Sequence, residues 1–124
     1  MDLVGVCPKN VWTEWLNEGD CAGTEESGAE YTWWTRKLPL ARNLTPGDRL
    51  YVVCDGKLRG YAPITRVIQE EDSMGRPIFG ICRKGGAVAC TIPESIPVQR
   101  SIKPRWWDRD HEIPFPGWKE CGCQ

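Results

Sequence analysis

The chain has 124 residues, enough for one domain and too few for two. Leu, Ile, Val and Phe make up only about a fifth of it, but 7 Trp and a formal net charge of -1 restore a globular reading, since each indole buries a large apolar area. The 13 Gly and 10 Pro exclude a helical bundle, the balance of 16 basic against 17 acidic residues excludes a histone-like polyanion binder, and no apolar run approaches bilayer length.

Leu3, Val4 and Val6 predict a short first strand. Asn10 is placed to cap a helix over residues 11–18, where Val11, Trp12, Trp15 and Leu16 fall on one face and Gly19 follows as a stop. Trp12 and Trp15 are expected in the core. The acidic, Gly-containing stretch 20–30 predicts a mobile loop. Residues 31–36 have strand composition, and in a strand adjacent Trp33 and Trp34 must point to opposite faces. One indole can enter the core; the other needs a second layer or a ligand to cover it.

A short helix is expected over 38–44. Thr45-Pro46-Gly47-Asp48 has the composition of a type II turn, with Pro second and Gly third. Strands over 50–53 and 57–67 follow, joined at Asp55-Gly56. A two-residue loop pairs Val53 with Leu58 and mixes apolar with basic side chains. A three-residue loop with Gly56 left-handed pairs Val53 with Lys57, and then Leu50, Val52, Leu58, Ala62 and Ile64 share one face while Tyr51, Val53, Lys57, Arg59 and Tyr61 share the other. The second register is expected.

Residues 70–75 predict a solvated polar turn. Residues 76–92 predict a second hairpin around Gly85-Gly86, with Phe79, Ile81, Val88, Cys90 and Ile92 on its core side and Cys82 facing away from Cys90. A last strand is expected over 98–102. The tail from Lys103 to His111 is basic and aromatic, and Pro114, Pro116 and Gly117 keep residues 111–124 irregular.

An N-terminal stretch without a basic region or a long apolar run predicts an intracellular, cytoplasmic protein. The odd count of 7 Cys points the same way, with all thiols free and no bound metal or cofactor expected. Cys121-Gly122-Cys123 and the single His111 are too few for a four-ligand zinc site unless Cys7 or Cys21 contributes.

Several segments in this order resemble the PUA-like superfamily, the small barrels that include the EVE and ASCH domains. They are Val4-Gly5-Val6-Cys7-Pro8-Lys9, the Trp12, Trp15, Leu16 and Gly19 pattern, Leu44-Thr45-Pro46-Gly47-Asp48-Arg49-Leu50-Tyr51-Val52, and Leu58-Arg59-Gly60-Tyr61-Ala62-Pro63-Ile64. The resemblance spans residues 3–68. It implies an α+β fold: a small PUA-like mixed β-barrel, mostly antiparallel, with one or two short helices, over residues 1–110. It also implies binding of RNA or DNA, single-stranded or through a flipped or modified nucleotide.

The residues carry their own signal. Residues 57–66 and 97–109 each hold a local charge of +3. Aromatic planes stack on unpaired bases while basic groups follow the backbone. The candidate nucleic-acid-binding residues are Trp33, Trp34, Arg36, Lys57, Arg59, Tyr61, Arg105, Trp106, Trp107 and Arg109. Trp33 or Trp34 is expected to form the pocket wall, with Arg59 and Arg105 on phosphate. An alternative is an ASCH-type ribonuclease with His111 as acid or base and Lys57 or Tyr61 as partner. A third is a protein-interaction module of a mobile element, docking through the Trp-rich tail. Membrane association is not expected.

Overall fold

The computed structural model describes residues 1–7, 30–36, 44–84, 88–97 and 102–115. They form β1 (Leu3–Val6), β2 (Glu30–Thr35), β3 (Arg49–Cys54), β4 (Lys57–Glu71), β5 (Pro77–Lys84), β6 (Cys90–Thr91), β7 (Lys103–Pro104) and β8 (Ile113–Pro114), with a 3-10 turn at Arg109–His111. Six strands make one mixed sheet in the order β2-β5-β4-β3-β1-β7, and β6 and β8 form a separate ribbon. The β1–β3 pair is parallel and the other pairs are antiparallel. The fold is therefore mostly β and mixed. The helices expected over 11–18 and 38–44 and the loop over 20–30 lie outside the described residues or almost entirely so.

No pairing among the described residues closes β2 onto β7, but the sheet curls strongly. An ideal Cβ on Gly5 in β1 would lie 2.7 Å from the Trp33 ring of β2, although three strands separate the two along the sheet. Trp33 spans the inside of the curl beside Leu3, Leu50, Ile64, Ile81 and Ile102. Only glycine leaves room at position 5. The outer face of β1 and β3 carries a second core of Val4, Tyr51, Val53, Leu58, Cys90, Ile92, Ile96 and Trp107. Full burial of such a side chain contributes about 1.5–3 kcal/mol, so both faces are structural.

The expected turn chemistry holds at two places. At Thr45–Asp48 the Asp48 amide donates to the Thr45 carbonyl at 3.0 Å and Gly47 has φ 95°, as a type II turn requires. Gly56 also has positive φ, at 74°.

The hairpin register differs from expectation. Val53 pairs with Leu58 and Cys54 with Lys57, across a two-residue loop in which Asp55 also has positive φ, at 55°. A bulge at Arg59 then shifts the register, so that Val52 pairs with Gly60 and Leu50 with Ala62. Leu50, Ala62 and Ile64 are all buried, whereas Leu58 joins Val53 and Tyr51 on the other side. The basic face built from Lys57, Arg59 and Tyr61 does not form. Arg59 is 2% exposed, and its Nε and a terminal nitrogen donate to the Cys54 carbonyl at 3.1 and 3.0 Å.

The second hairpin is also re-paired. β4 continues to Glu71, and the Asp72 carboxylate accepts from the Met74 and Arg76 amides at 2.8 and 2.9 Å, turning the chain directly into β5. β4 and β2 occupy the two edges of β5, leaving neither for residues 88–92. Val88 instead bridges to Tyr61 and is exposed; β6 pairs with β8, inside the stretch expected to be irregular. Phe79, Ile81, Cys90 and Ile92 are buried as expected, and Cys82 and Cys90 are free thiols. The Gly85-Gly86 turn and most of the strand expected over 98–102 lie outside the described residues.

The expectation of seven free thiols is corrected at Cys54, which is disulfide-bonded. An odd count forbids complete pairing but not one bridge, and the compartment argument loses that support.

Asp2 joins the two ends of the described chain. Its buried carboxylate accepts from the Arg49 amide at 3.0 Å, Arg105 Nε at 3.0 Å and Arg109 at 2.8 Å, and the Arg105 amide donates to the Asp2 carbonyl. Burial alone would raise its pKa; the Arg49 amide and the Arg109 and Arg105 guanidinium groups outweigh burial and hold it below the ordinary 3.8. A carboxylate depressed by folding stabilises the protein above its unfolded value and loses that contribution as pH falls through the folded value. Asp2→Ala should therefore cost about 2–3 kcal/mol at neutral pH. In urea unfolding followed by circular dichroism, the gap to the parent should narrow as the pH falls below 3.8.

Candidate functional site

Residues 105–115 lie against the outer core through Trp107 and form one wall of a cleft. Two carboxylates hold this segment. Asp2 binds Arg105 and Arg109, while Glu112 accepts from the Tyr51 hydroxyl at 2.5 Å, Trp107 Nε1 at 3.0 Å and Arg49 at 3.1 Å. The Glu112 side chain is only 8% exposed, so these donors, with the Cys90 thiol at 3.9 Å, replace its lost water. Arg49 also stacks on the Tyr61 ring at 4.0 Å, and Tyr51 meets the Tyr61 and Trp107 rings at 5.2 and 5.3 Å. Burial, and then the bond to Glu112, push the Tyr51 phenol well above its ordinary pKa, so it remains a donor. A guanidinium nitrogen of Arg105 donates to the Trp107 carbonyl.

This network fixes Trp107, and Trp107 supports Trp106. The two indoles meet edge to face at 5.1 Å and 85°. Trp107 is buried, whereas Trp106 is 50% exposed. Facing them is the loop after β6, anchored where the Ile96 amide donates to the Gly56 carbonyl at 2.8 Å. The cleft between has a volume of about 310 Å³ and is lined by Ile92, Glu94, Ser95, Trp106, Trp107, Asp108 and His111.

The sequence candidates are divided among separate places. Trp106 and Trp107 line the cleft. Trp33 lies inside the curled sheet, and Trp34, 44% exposed, lies on the opposite face of β2 beside Gly80. Arg36 is exposed and paired with Asp72 at 2.8 Å. Lys57 is exposed beside the hairpin turn; Arg59 is buried against the Cys54 carbonyl of β3; Tyr61 is half-buried beneath Arg49. Arg105 and Arg109 hold Asp2. His111 reaches the cleft, but neither Lys57 nor Tyr61 lines it.

Sequence reasoning missed Asp2, Glu112, Glu94, Ser95 and Asp108. Apart from Trp107–Glu112, 5 positions apart, and Cys90–Glu112, 22 apart, the Asp2 and Glu112 contacts join residues 47 to 107 positions apart, and no local spacing marks them. Among the described residues no group of three or more His, Cys, Asp or Glu side chains is placed to hold a metal ion, and no helix is long and apolar enough to cross a membrane. No family model, curated protein or solved structure matches the chain.

The Glu112 network is testable without disturbing volume. Tyr51→Phe removes one donor from a buried carboxylate and should lower the unfolding free energy by about 1.5–3 kcal/mol. Denaturant unfolding read by tryptophan fluorescence measures it.

Proposed function

We propose that this chain is a PUA-like domain that binds RNA or DNA by taking one unpaired or flipped nucleotide into the Trp106 cleft. The strong curl of the sheet around Trp33, together with the turn at Thr45–Asp48 leading into β3, supports the barrel-like reading. The observation that carries the function is the indole of Trp106, half in solvent on a cleft whose other wall carries Glu94 and Ser95 beside Ile92. A π-face held by a buried neighbour stacks on a base without first having to be ordered. A cleft of about 310 Å³ stands at the lower end of small-ligand sites, suited to one nucleotide rather than a longer segment. The basic residues expected on phosphate are mostly committed elsewhere, so base stacking rather than phosphate neutralisation supplies the affinity, and salt dependence is shallow.

His111 on the same wall favours a second reading, an RNA-cleaving site, with Glu94 and Asp108 on the cleft as partners in place of Lys57 and Tyr61.

The experiment is fluorescence-anisotropy titration of the full chain with single-stranded RNA and DNA oligonucleotides at two salt concentrations. Trp106→Ala should weaken binding about five- to a hundredfold with little change in salt slope, since one stacked base contributes about 1–3 kcal/mol. Its melting temperature should move little because the side chain is half exposed. Cleavage abolished by His111→Ala would assign the second reading. Absence of binding across the whole set would overturn the nucleic-acid reading in favour of a protein-docking surface at Trp106.

A further inference from the structure

We infer that the base this cleft prefers carries a positive charge, as 1-methyladenine and 3-methylcytosine do. The inference rests on the nucleotide reading above and specifies its ligand.

The charge of the lining carries it. Glu94 and Asp108 both line the cleft, and among the described residues no Lys or Arg does. They come from opposite walls, Glu94 from the loop after β6 and Asp108 from the segment that presents Trp106. The two other carboxylates that hold this segment, Asp2 and Glu112, are saturated with arginine, tyrosine and tryptophan donors. Glu94 and Asp108 are exposed, and the Asp108 side chain makes no capping bond to the turn that follows it. Among the described residues a phosphate in this space would meet two carboxylates, with His111 the one lining side chain able to carry a positive charge. A neutral base would gain the stacking alone. A cationic ring over the Trp106 face gains stacking, the attraction of the indole quadrupole and the field of both carboxylates. Trp107 closes one side at right angles, forming a corner that holds a flat ring against Trp106. Ser95 adds a hydroxyl that can donate or accept.

The test compares isomeric methylated bases, so that charge changes while size does not. One oligonucleotide carries a single 1-methyladenine, which is cationic, and its match carries N6-methyladenine, which is neutral. A second pair carries 3-methylcytosine and 5-methylcytosine. Titrations of the full chain at neutral pH should show each cationic isomer binding about tenfold more tightly than its neutral match. In Glu94→Gln, in Asp108→Asn and in the double variant the ratio should fall toward one; all three changes are isosteric and on exposed side chains, and circular dichroism checks the fold. Equal binding of the isomers by the parent protein overturns the inference and leaves the nucleotide reading intact. A preference that survives the double variant also overturns it, because the carboxylates would then not be its source. Failure of all four oligonucleotides and their unmethylated parent to bind removes the nucleotide reading, and this inference with it.

Discussion

The carboxylate of Asp2 sits one residue before β1 and is met by Arg105 and Arg109 from the far end of the described chain. Buried charge is costly unless paired and hydrogen-bonded, and here the backbone amide of Arg49 completes the pairing. The consequence is positional. Once Arg105 and Arg109 are held, the residues between them are fixed at both ends. Trp107 turns into the core, Trp106 turns out, and Asp108 reaches the cleft. The cleft is thus a product of an ion pair that has no part in lining it.

Glu112 does the same work from the other side. Its donors come from β3, from β6 and from the segment itself: Arg49 and Tyr51, the Cys90 thiol, and Trp107. Arg49 serves both hubs, giving its amide to Asp2 and its guanidinium to Glu112. The two carboxylates are therefore coupled through a single residue of β3, immediately after the Thr45–Asp48 turn. That turn sets where β3 begins, so a local backbone feature governs the placement of a distant wall.

The curl of the sheet has a steric origin. Gly5 lacks the Cβ that would collide with Trp33, and Gly60 lacks one that would lie 2.4 Å from the Val88 carbonyl. Bulges at Arg59 and Thr65 in β4 add local twist to its 15 residues, as bulges do. One long strand can thereby pair with β3 along its first half and with β5 along its second. The missing methyl groups and the two extra residues let the sheet bend until β2 and β1 approach across its interior.

Local chemistry in the sequence was enough for the strand-rich character, the type II turn at Thr45–Asp48, the left-handed Gly56 and the opposed faces of Trp33 and Trp34. These depend on φ preferences and on the two-residue period of a strand, which act within a few positions. The grouping of Leu50, Ala62 and Ile64 on one face was legible too, but the device was not. The chain reaches that grouping through a two-residue turn and a bulge at Arg59, where hydrophobic patterning pointed to a three-residue turn. Leu58 and Arg59 changed sides as a result, and a guanidinium expected in solvent is buried against the Cys54 carbonyl. Tertiary structure alone decided the parallel β1–β3 pairing, the ribbon of β6 with β8, and the use of Arg105 and Arg109 as clamps. A charged side chain has the same local signature whether it meets a phosphate or a carboxylate 103 residues away. Which one it meets depends on long-range pairing, and that is set by the competition of all strands for a limited number of edges.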